Sequence, residues 1–398
     1  MPRLFLFAVA SLALAACADA PAEPTDDALG TPDGVVAVPA DSGALAPRLT
    51  RAGDGTPLLS WVEPDGDGHA LRVARWTGDG WAAPETADAG HDWFVNWADT
   101  PGVVPLGDGL LAHTLTRHPE GDSPYAYDVT VRPASAAGRV LHDDGVPAEH
   151  GFVSAVPLAD GGAGLVWLDG RNQGGGHGHG GGAMTLRYAT LGPDGATRDE
   201  AELDARTCDC CPTALAATAS GLVAAYRDRS EGEVRDVAVV RQVDGSWTEP
   251  VVPHADGWTI EGCPVNGPAL AASGDRVALA WFTGADSVRV QLAISEDGGA
   301  TWREPARIDG GAPVGRVDVA MLLGGSAVVS WLETVGEAAE LRVRQIRPDG
   351  TLRPPHTVAT VPAGRASGVP HVLALGDQAL VAWTDPAAAT VRTAVVSP

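Results

Sequence analysis

Lysine is absent from this sequence. All 27 basic residues are Arg, set against 51 Asp and Glu, for a net charge of −24. So acidic a chain excludes nucleic acid as a partner, because phosphates demand a basic face. The charge favours solubility and repels anionic ligands except where Arg residues gather locally. Long apolar runs are missing beyond the first residues, so nothing after them reads as a membrane-crossing helix. Tyrosine is rare and stops at Tyr226. Cysteine is limited to Cys17, Cys208, Cys210, Cys211 and Cys263.

Met1-Pro2-Arg3 is a short basic lead, and Leu4 to Ala16 is an apolar run too short to span a bilayer as a mature helix. The run ends Leu14-Ala15-Ala16-Cys17, which resembles a bacterial lipobox. The resemblance implies that Cys17 is lipidated and opens the mature protein; an ordinary signal peptide or a buried strand are the alternatives. Residues 1–17 are therefore expected to be a lipoprotein signal peptide with its lipobox. Residues 18–34, rich in Ala, Pro and Asp, are expected to form a disordered tether. The predicted location is the bacterial cell envelope, facing the periplasm or the outside. The expected molecule is a monomer that meets the membrane only through the lipid on Cys17.

From residue 35 onward a unit recurs: an inner strand, a tight turn, a second strand ending in an aromatic, a polar loop, a third strand and an Asp-Gly turn. The second strands align best, as in Leu58 to Trp61, Leu165 to Trp167, Leu222 to Tyr226, Val277 to Trp281, Val328 to Trp331 and Leu380 to Trp383. Leu110 to Leu115 fills the remaining place without its aromatic. Inner strands are expected near Pro47, Gly102, Phe152, Pro212, Pro268, Val317 and Pro370, a period of roughly 50–60 residues. The pattern predicts an all-β fold over 35–398, a seven-bladed β-propeller of four-stranded antiparallel blades with almost no helix. The last unit lacks a fourth strand, whereas Val35 to Val38 has strand character and no partner. Pairing the two closes the ring and removes two sheet edges. Six blades plus an added hairpin is the alternative.

One turn carries a further signal. Ser295-Glu296-Asp297-Gly298-Gly299-Ala300-Thr301-Trp302 follows an apolar strand, with Asp297 placed to bond its own turn and two Gly residues at positions needing positive φ. Weaker echoes stand at Gly78 to Trp81, Asp194 to Thr197, Asp244 to Trp247 and Asp349 to Thr351. The chain thereby resembles the sialidase-like (BNR/Asp-box) β-propellers. That resemblance implies glycan hydrolysis, with three Arg on a substrate carboxylate, a Tyr nucleophile paired with Glu, and an Asp acid/base. Arg48, Arg171, Arg227, Arg229 and Arg316 are the candidates for the carboxylate. The family's Tyr falls late in the chain, where this sequence has none. Ala46-Pro47-Arg48-Leu49 stands where the family has Phe-Arg-Ile-Pro. Sialidases have six blades, so seven is a second departure.

Propeller geometry sends the loop leading into each inner strand, and the loop between second and third strands, to one face. Nearly all the unusual residues fall in those loops, so a polar, aromatic-lined funnel over the axis is the expected binding site. Its predicted members are Asp92, Trp93, Asn96, Asp99, His150, Arg171, Arg227, Asn266, Arg316 and His371. Glu149, Asp169, Asp228 and Tyr226 are the candidates for acid, base or nucleophile.

Cys208, Cys210 and Cys211 lead into the fourth blade and Cys263 into the fifth. An exported chain permits disulfides, with Cys263 to Cys210 or Cys211 as the first pairing considered. Alternatively the four thiolates, with His177 and His179, form a copper or zinc site. Three functions remain open. The first is a lipid-anchored module binding a glycan or other small polar ligand and needing no cofactor. The others are a sialidase-like glycoside hydrolase and a metal-handling or redox protein.

Overall fold

The computed structural model describes Met1, residues 34–173 and residues 182–398. Contacts divide the chain into Met1–Pro32 and Asp33–Pro398, and the propeller is the second of these units. Cys17, the proposed tether up to residue 33, His177 and His179 lie outside the described residues.

Each second strand is apolar on both faces, because each blade is sandwiched between two neighbours. In Ala327–Val335, Val329 and Trp331 pack toward the fifth blade, whereas Val328 and Leu332 pack toward the seventh. Repetition of this arrangement builds seven antiparallel four-stranded sheets. The inner strands are Leu45–Arg51, Gly102–Leu106, His150–Pro157, Ala214–Ala217, Ala269–Ser273, Pro313–Met321 and His371–Leu375. The second strands are Pro57–Asp65, Gly109–Arg117, Ala163–Asp169, Leu222–Arg227, Arg276–Thr283, Ala327–Val335 and Gln378–Asp385. Among the described residues the only helix is the 3-10 turn Arg365–Ser367. The fold has seven blades, not six.

Closure follows the expected route. Val35–Val36 pairs antiparallel with Thr390–Val396 and supplies the outer strand of the seventh blade. Behind it, Leu59 and Trp61 of blade one share an apolar cluster with Ala382 and Val391 of blade seven.

A regularity not drawn from the sequence ties four of the blades together. Trp61, Trp167, Trp331 and Trp383 on second strands stand directly opposite Arg72, Arg187, Arg342 and Arg392 on third strands. Three of these indoles donate to a carboxylate two residues on: Trp61 to Glu63 at 2.9 Å, Trp167 to Asp169 at 2.9 Å and Trp331 to Glu333 at 2.5 Å. The indole N–H would otherwise be buried without a partner, which is costly.

The Asp-box hairpin forms as the sequence implies. Asp297 accepts from Thr301 N at 2.8 Å and Thr301 Oγ1 at 2.7 Å, and Ser295 Oγ donates to it at 2.8 Å. Gly298 and Gly299 have φ of 65° and 83°. The Thr301 bonds hold the Asp297 carboxyl down at about 2.

Truncating one blade-filling indole tests this packing. Trp331→Ala should lower the unfolding free energy by about 3–5 kcal/mol in a denaturant titration. A loss under about 1 kcal/mol would show that the blades are not held by these contacts.

Candidate functional site

Loops from five blade entrances converge on one basin of about 740 Å³. Asn96, Trp97 and Ala98 reach it from the loop into blade two, and Glu149 from the loop into blade three. Asp209 and Cys210 come from the loop into blade four, and Glu261 to Cys263 and Val265 from the loop into blade five. Tyr125, Arg229, Glu233 and Arg235 arrive from loops between second and third strands, and Arg365 from the approach to blade seven. A second cavity of about 470 Å³ is lined by inner-strand residues including Arg48, Asp318 and His371, and by Asp99 from the loop into blade two. Ala98 and Phe152 line both cavities.

The rim of this region is built on bulges. Ala46, Phe152 and Arg316 have φ of 54°, 55° and 55°, left-handed values that cost non-glycine residues about 1–3 kcal/mol each. The register of the inner strand shifts at each of these points, in blades one, three and six. In every case a side chain from the preceding blade captures the bulged N–H. Thr384 Oγ1 accepts from Ala46 N at 3.3 Å, Asp99 Oδ1 from Phe152 N at 2.7 Å, and Asn266 Oδ1 from Arg316 N at 2.7 Å. Asp99 and Asn266 are therefore equivalent brackets at two blade junctions.

Asp99 also belongs to a buried acidic set. The Tyr127 hydroxyl lies 3.1 Å from Asp99 Oδ2 and 2.8 Å from Glu149 Oε1. One hydroxyl proton can serve only one carboxylate. A second proton on the pair lets the other carboxyl donate back to the Tyr127 oxygen. Burial pushes Asp99 up to about 7, against the Phe152 N–H, the Tyr127 hydroxyl and Arg48. Burial also pushes Glu149 up to about 8; the Tyr127 hydroxyl opposes this and the Asp99 charge adds to it. Tyr127 is wholly buried, and its phenol is pushed well above its ordinary value by burial and by both carboxylates. Glu149 thus brings to the basin a carboxyl that is largely neutral at pH 7 and able to donate a hydrogen bond.

Among the described residues the cysteines, Cys208, Cys210, Cys211 and Cys263, are free thiols. Cys208 Sγ lies 3.5 Å from Cys211 Sγ and 4.0 Å from Cys210 Sγ, and Arg235 Nη1 donates to Cys208 at 3.2 Å. Hydrogen bonds from Cys210 and Cys211 hold the Cys208 thiol well below its ordinary pKa, with Arg235 adding to the effect. A hydrogen bond from Cys210 lowers Cys263 as well, so the fourth thiol meets the cluster.

The other expected site residues scatter. Asn96 lines the basin and also accepts from Ala98 N at 2.7 Å. Asp92 is exposed, and Trp93 packs into the core cluster of blades one and two. Arg227 is buried on the carbonyls of Asn266, Arg235 and Phe282, with its guanidinium 4.8 Å from the Trp258 ring. Tyr226 is buried and bonds Asp204, and Asp228 caps Arg229 N at 2.6 Å. Arg316 donates to Gly364 O and Gly368 O and stacks 4.5 Å from the Trp97 ring. His371 Nδ1 faces Asp318 at 3.3 Å in the second cavity. His150, Asp169 and Arg171 form a separate cluster with His142, Asp128 and Asp144. Sequence reasoning passed over Tyr127, Trp97, Tyr125, Arg235 and Arg365 as site members. Tyr127 opens a third strand, at the end facing the predicted funnel, and that position was its only signal.

No known protein family and no curated protein matches the sequence. Solved structures do match in fold. An ulvan lyase of polysaccharide lyase family PL25, bound to a GlcA(1-4)Rha3S unit, has a TM-score of 0.51 at 14% identity, over 92% of this chain and 93% of that one. An intramolecular trans-sialidase from Ruminococcus gnavus, in complex with oseltamivir carboxylate, has a TM-score of 0.47 at 11% identity, over 89% and 94%. A sialidase mutant from Streptococcus pneumoniae gives 0.43 at 10% identity, over 89% and 68%. At such identities the likeness concerns the fold alone. The chain is a seven-bladed β-propeller in fold, with an Asp-box hairpin at Ser295 to Trp302.

The raised carboxyl of Glu149 makes stability fall as pH rises. The contribution is complete below the unfolded-state value and is lost as pH passes through about 8, where the buried group ionises. Glu149→Gln keeps the group neutral at every pH. Melting temperature should therefore decline less steeply for the variant than for the parent between about pH 6 and about pH 9. Identical slopes would contradict the assignment.

Proposed function

We propose that the protein is an envelope-anchored propeller that binds a polar saccharide in the basin formed by the blade-entrance loops. The observation that carries this reading is the combination of aromatic surface and hydrogen-bonding groups in one basin of about 740 Å³. Tyr125 is 44% exposed and Trp97 half-buried, offering apolar faces for sugar rings. Around them stand Asn96, Glu149, Asp209, Glu261 and Arg365. Arg229 and Arg235 are committed to Asp209 and Glu233 at 2.7–3.0 Å, so the basin presents mixed polarity rather than a cationic patch. Such a lining suits hydroxyl-rich ligands over strongly anionic ones.

Catalysis on the bound saccharide is supported by the acid set. Glu149, neutral near pH 7, is suited to protonate a leaving oxygen. Asp99, wholly buried on Phe152 N–H, acts through Tyr127 as a positioning residue. A glycan array followed by calorimetry tests the binding. Tyr125→Ala and Trp97→Ala should each weaken the selected saccharide by roughly 5–30-fold. Absence of any saccharide binding by the parent protein would refute the reading. Release of new chain ends that Glu149→Gln abolishes would establish the hydrolase or lyase form.

The thiol cluster supports a second reading, a soft-metal site for zinc or copper. Thiolates about 2.3 Å from a tetrahedral ion stand about 3.8 Å from one another. The observed separations of 3.5 and 4.0 Å bracket that value, whereas a disulfide needs about 2 Å. Intact-mass analysis of protein purified from the envelope reads this and the lipid anchor together. Alkylation without reductant should label Cys208, Cys210, Cys211 and Cys263, with zinc protecting them, and Cys17 should carry an acyl mass. Thiols that label only after reduction would overturn the metal reading in favour of disulfides. An unmodified Cys17 would remove the anchor.

A further inference from the structure

Polar groups that the basin does not use gather between blades two and three. Asp128 lies on the third strand of blade two, and His142 and Asp144 lie on the connection that follows Arg139–Val140. His150 opens the inner strand of blade three, and Asp169 ends its second strand. The imidazoles of His142 and His150 stack with ring centres 3.9 Å apart. Carboxylates close both edges of the stack. Asp128 Oδ1 is 3.7 Å from His142 Nε2 and 3.7 Å from His150 Nδ1. At the other edge Asp144 Oδ2 is 2.9 Å from His142 Nδ1 and 3.3 Å from His150 Nε2, and Asp169 Oδ1 is 3.6 Å from the same nitrogen.

These approaches do not amount to hydrogen bonds. His142 Nδ1 and Nε2, His150 Nε2 and Asp144 Oδ2 are buried atoms without a hydrogen-bond partner of adequate geometry. His142 is 3% exposed and His150 and Asp169 are 0% exposed, so bulk solvent does not reach these atoms. Interiors rarely leave one such atom unpaired, and two imidazole nitrogens, His142 Nδ1 and His150 Nε2, are left so on the same side of the stack, beside Asp144. The tautomer is also prepared. His150 Nδ1 lies 3.2 Å from Tyr127 O, and donation there leaves the Nε2 lone pair facing Asp144 and Asp169. Asp169 is itself held, its Oδ2 accepting from the Trp167 indole N–H at 2.9 Å and its Oδ1 from the Arg171 backbone N–H at 3.1 Å and Arg171 Nε at 2.7 Å.

Charge points the same way. Three carboxylates face one cation, Arg171, whose Nη2 lies 2.7 Å from Asp169 Oδ2 and 3.1 Å from Asp144 Oδ2. With neutral imidazoles the cluster keeps two negative charges in excess, which is unfavourable for buried groups. Ligands about 2.0–2.1 Å from a tetrahedral ion stand about 3.3 Å apart. The ligand atoms of Asp144, His150 and Asp169 lie within 4.8 Å of one another, and His142 Nδ1 stands 2.9 Å from Asp144 Oδ2.

We propose that His142 Nδ1, Asp144 Oδ2, His150 Nε2 and Asp169 Oδ1 bind a divalent transition-metal ion, zinc foremost. Two imidazoles and two carboxylates suit zinc better than calcium or magnesium, which favour oxygen alone, and the set contains no thiol. The bound ion fastens the connection after blade two to blade three, directly behind Tyr127 and Glu149. It therefore holds the floor of the basin without contacting its ligand.

Cobalt(II) titration of the full chain separates this site from the cysteines. One equivalent should bind with d–d absorption and no sulfur-to-cobalt charge transfer, whatever further equivalents the thiols take. His142→Gln and Asp144→Asn should weaken that equivalent by at least about 100-fold with unchanged circular dichroism. Uptake of sulfur-bound cobalt alone, no uptake, or variants that bind as tightly as the parent would each overturn the proposal. Should the variants fail to fold, nitrogen NMR of the parent decides. Zinc should shift the ring nitrogens of His142 and His150. Rings that stay unmoved, or that are both doubly protonated at neutral pH, would show a buried imidazolium pair in place of a metal site.

Discussion

The burial of each second strand between two neighbouring blades is the constraint from which the rest of the structure follows. A strand that is apolar on both faces cannot be satisfied by its own sheet, so every blade requires another on each side. Only a closed ring meets that demand for all seven blades at once. The clasp of Val35–Val36 on Thr390–Val396 supplies the closure, and the cluster of Trp61 with Ala382 and Val391 supplies the packing across the seam. The indole-to-carboxylate bonds of Trp61, Trp167 and Trp331 let large aromatics fill the gaps without leaving a buried N–H unpaired.

The ring also explains where polar chemistry collects. Inner strands crowd together at the axis, and three of them relieve the crowding with a bulge whose N–H is held by the blade before. Asp99 is placed by this structural task and is buried by it. The same carboxyl then meets Tyr127 and, through it, Glu149. A bracket between blades and a perturbed acid pair are thus one construction. The Trp97 ring shows a similar economy, packing under the buried Arg316 while lining the basin.

A chain with a net charge of −24 must still keep acidic groups apart in its interior. It does so by giving each buried carboxylate a defined partner: an indole, a backbone N–H, a guanidinium or a phenol. Where those partners run short, as around Asp128, two stacked imidazoles fill the space. Where thiols replace carboxylates, Arg235 provides the compensating charge.

Strand periodicity and the Asp-box turn were legible in the residues because each depends on neighbours close in sequence; blade number and the closing strand followed from counting those repeats and finding the last one a strand short. The converging loops were legible too, since the face on which a loop emerges follows from strand order. Membership of the site was not. Arg227, Asn266 and Arg316 carry the residue types of a binding pocket, yet they bond backbone carbonyls and N–H groups and brace blade junctions. Tyr127 looked like an ordinary strand residue, yet its hydroxyl joins two carboxylates 22 and 28 residues away. Local pattern specifies which way a strand faces. Which polar group meets which is decided only when packing between remote blades sets their angle and spacing, because burial and partner distance, rather than residue type, determine what a polar side chain can do.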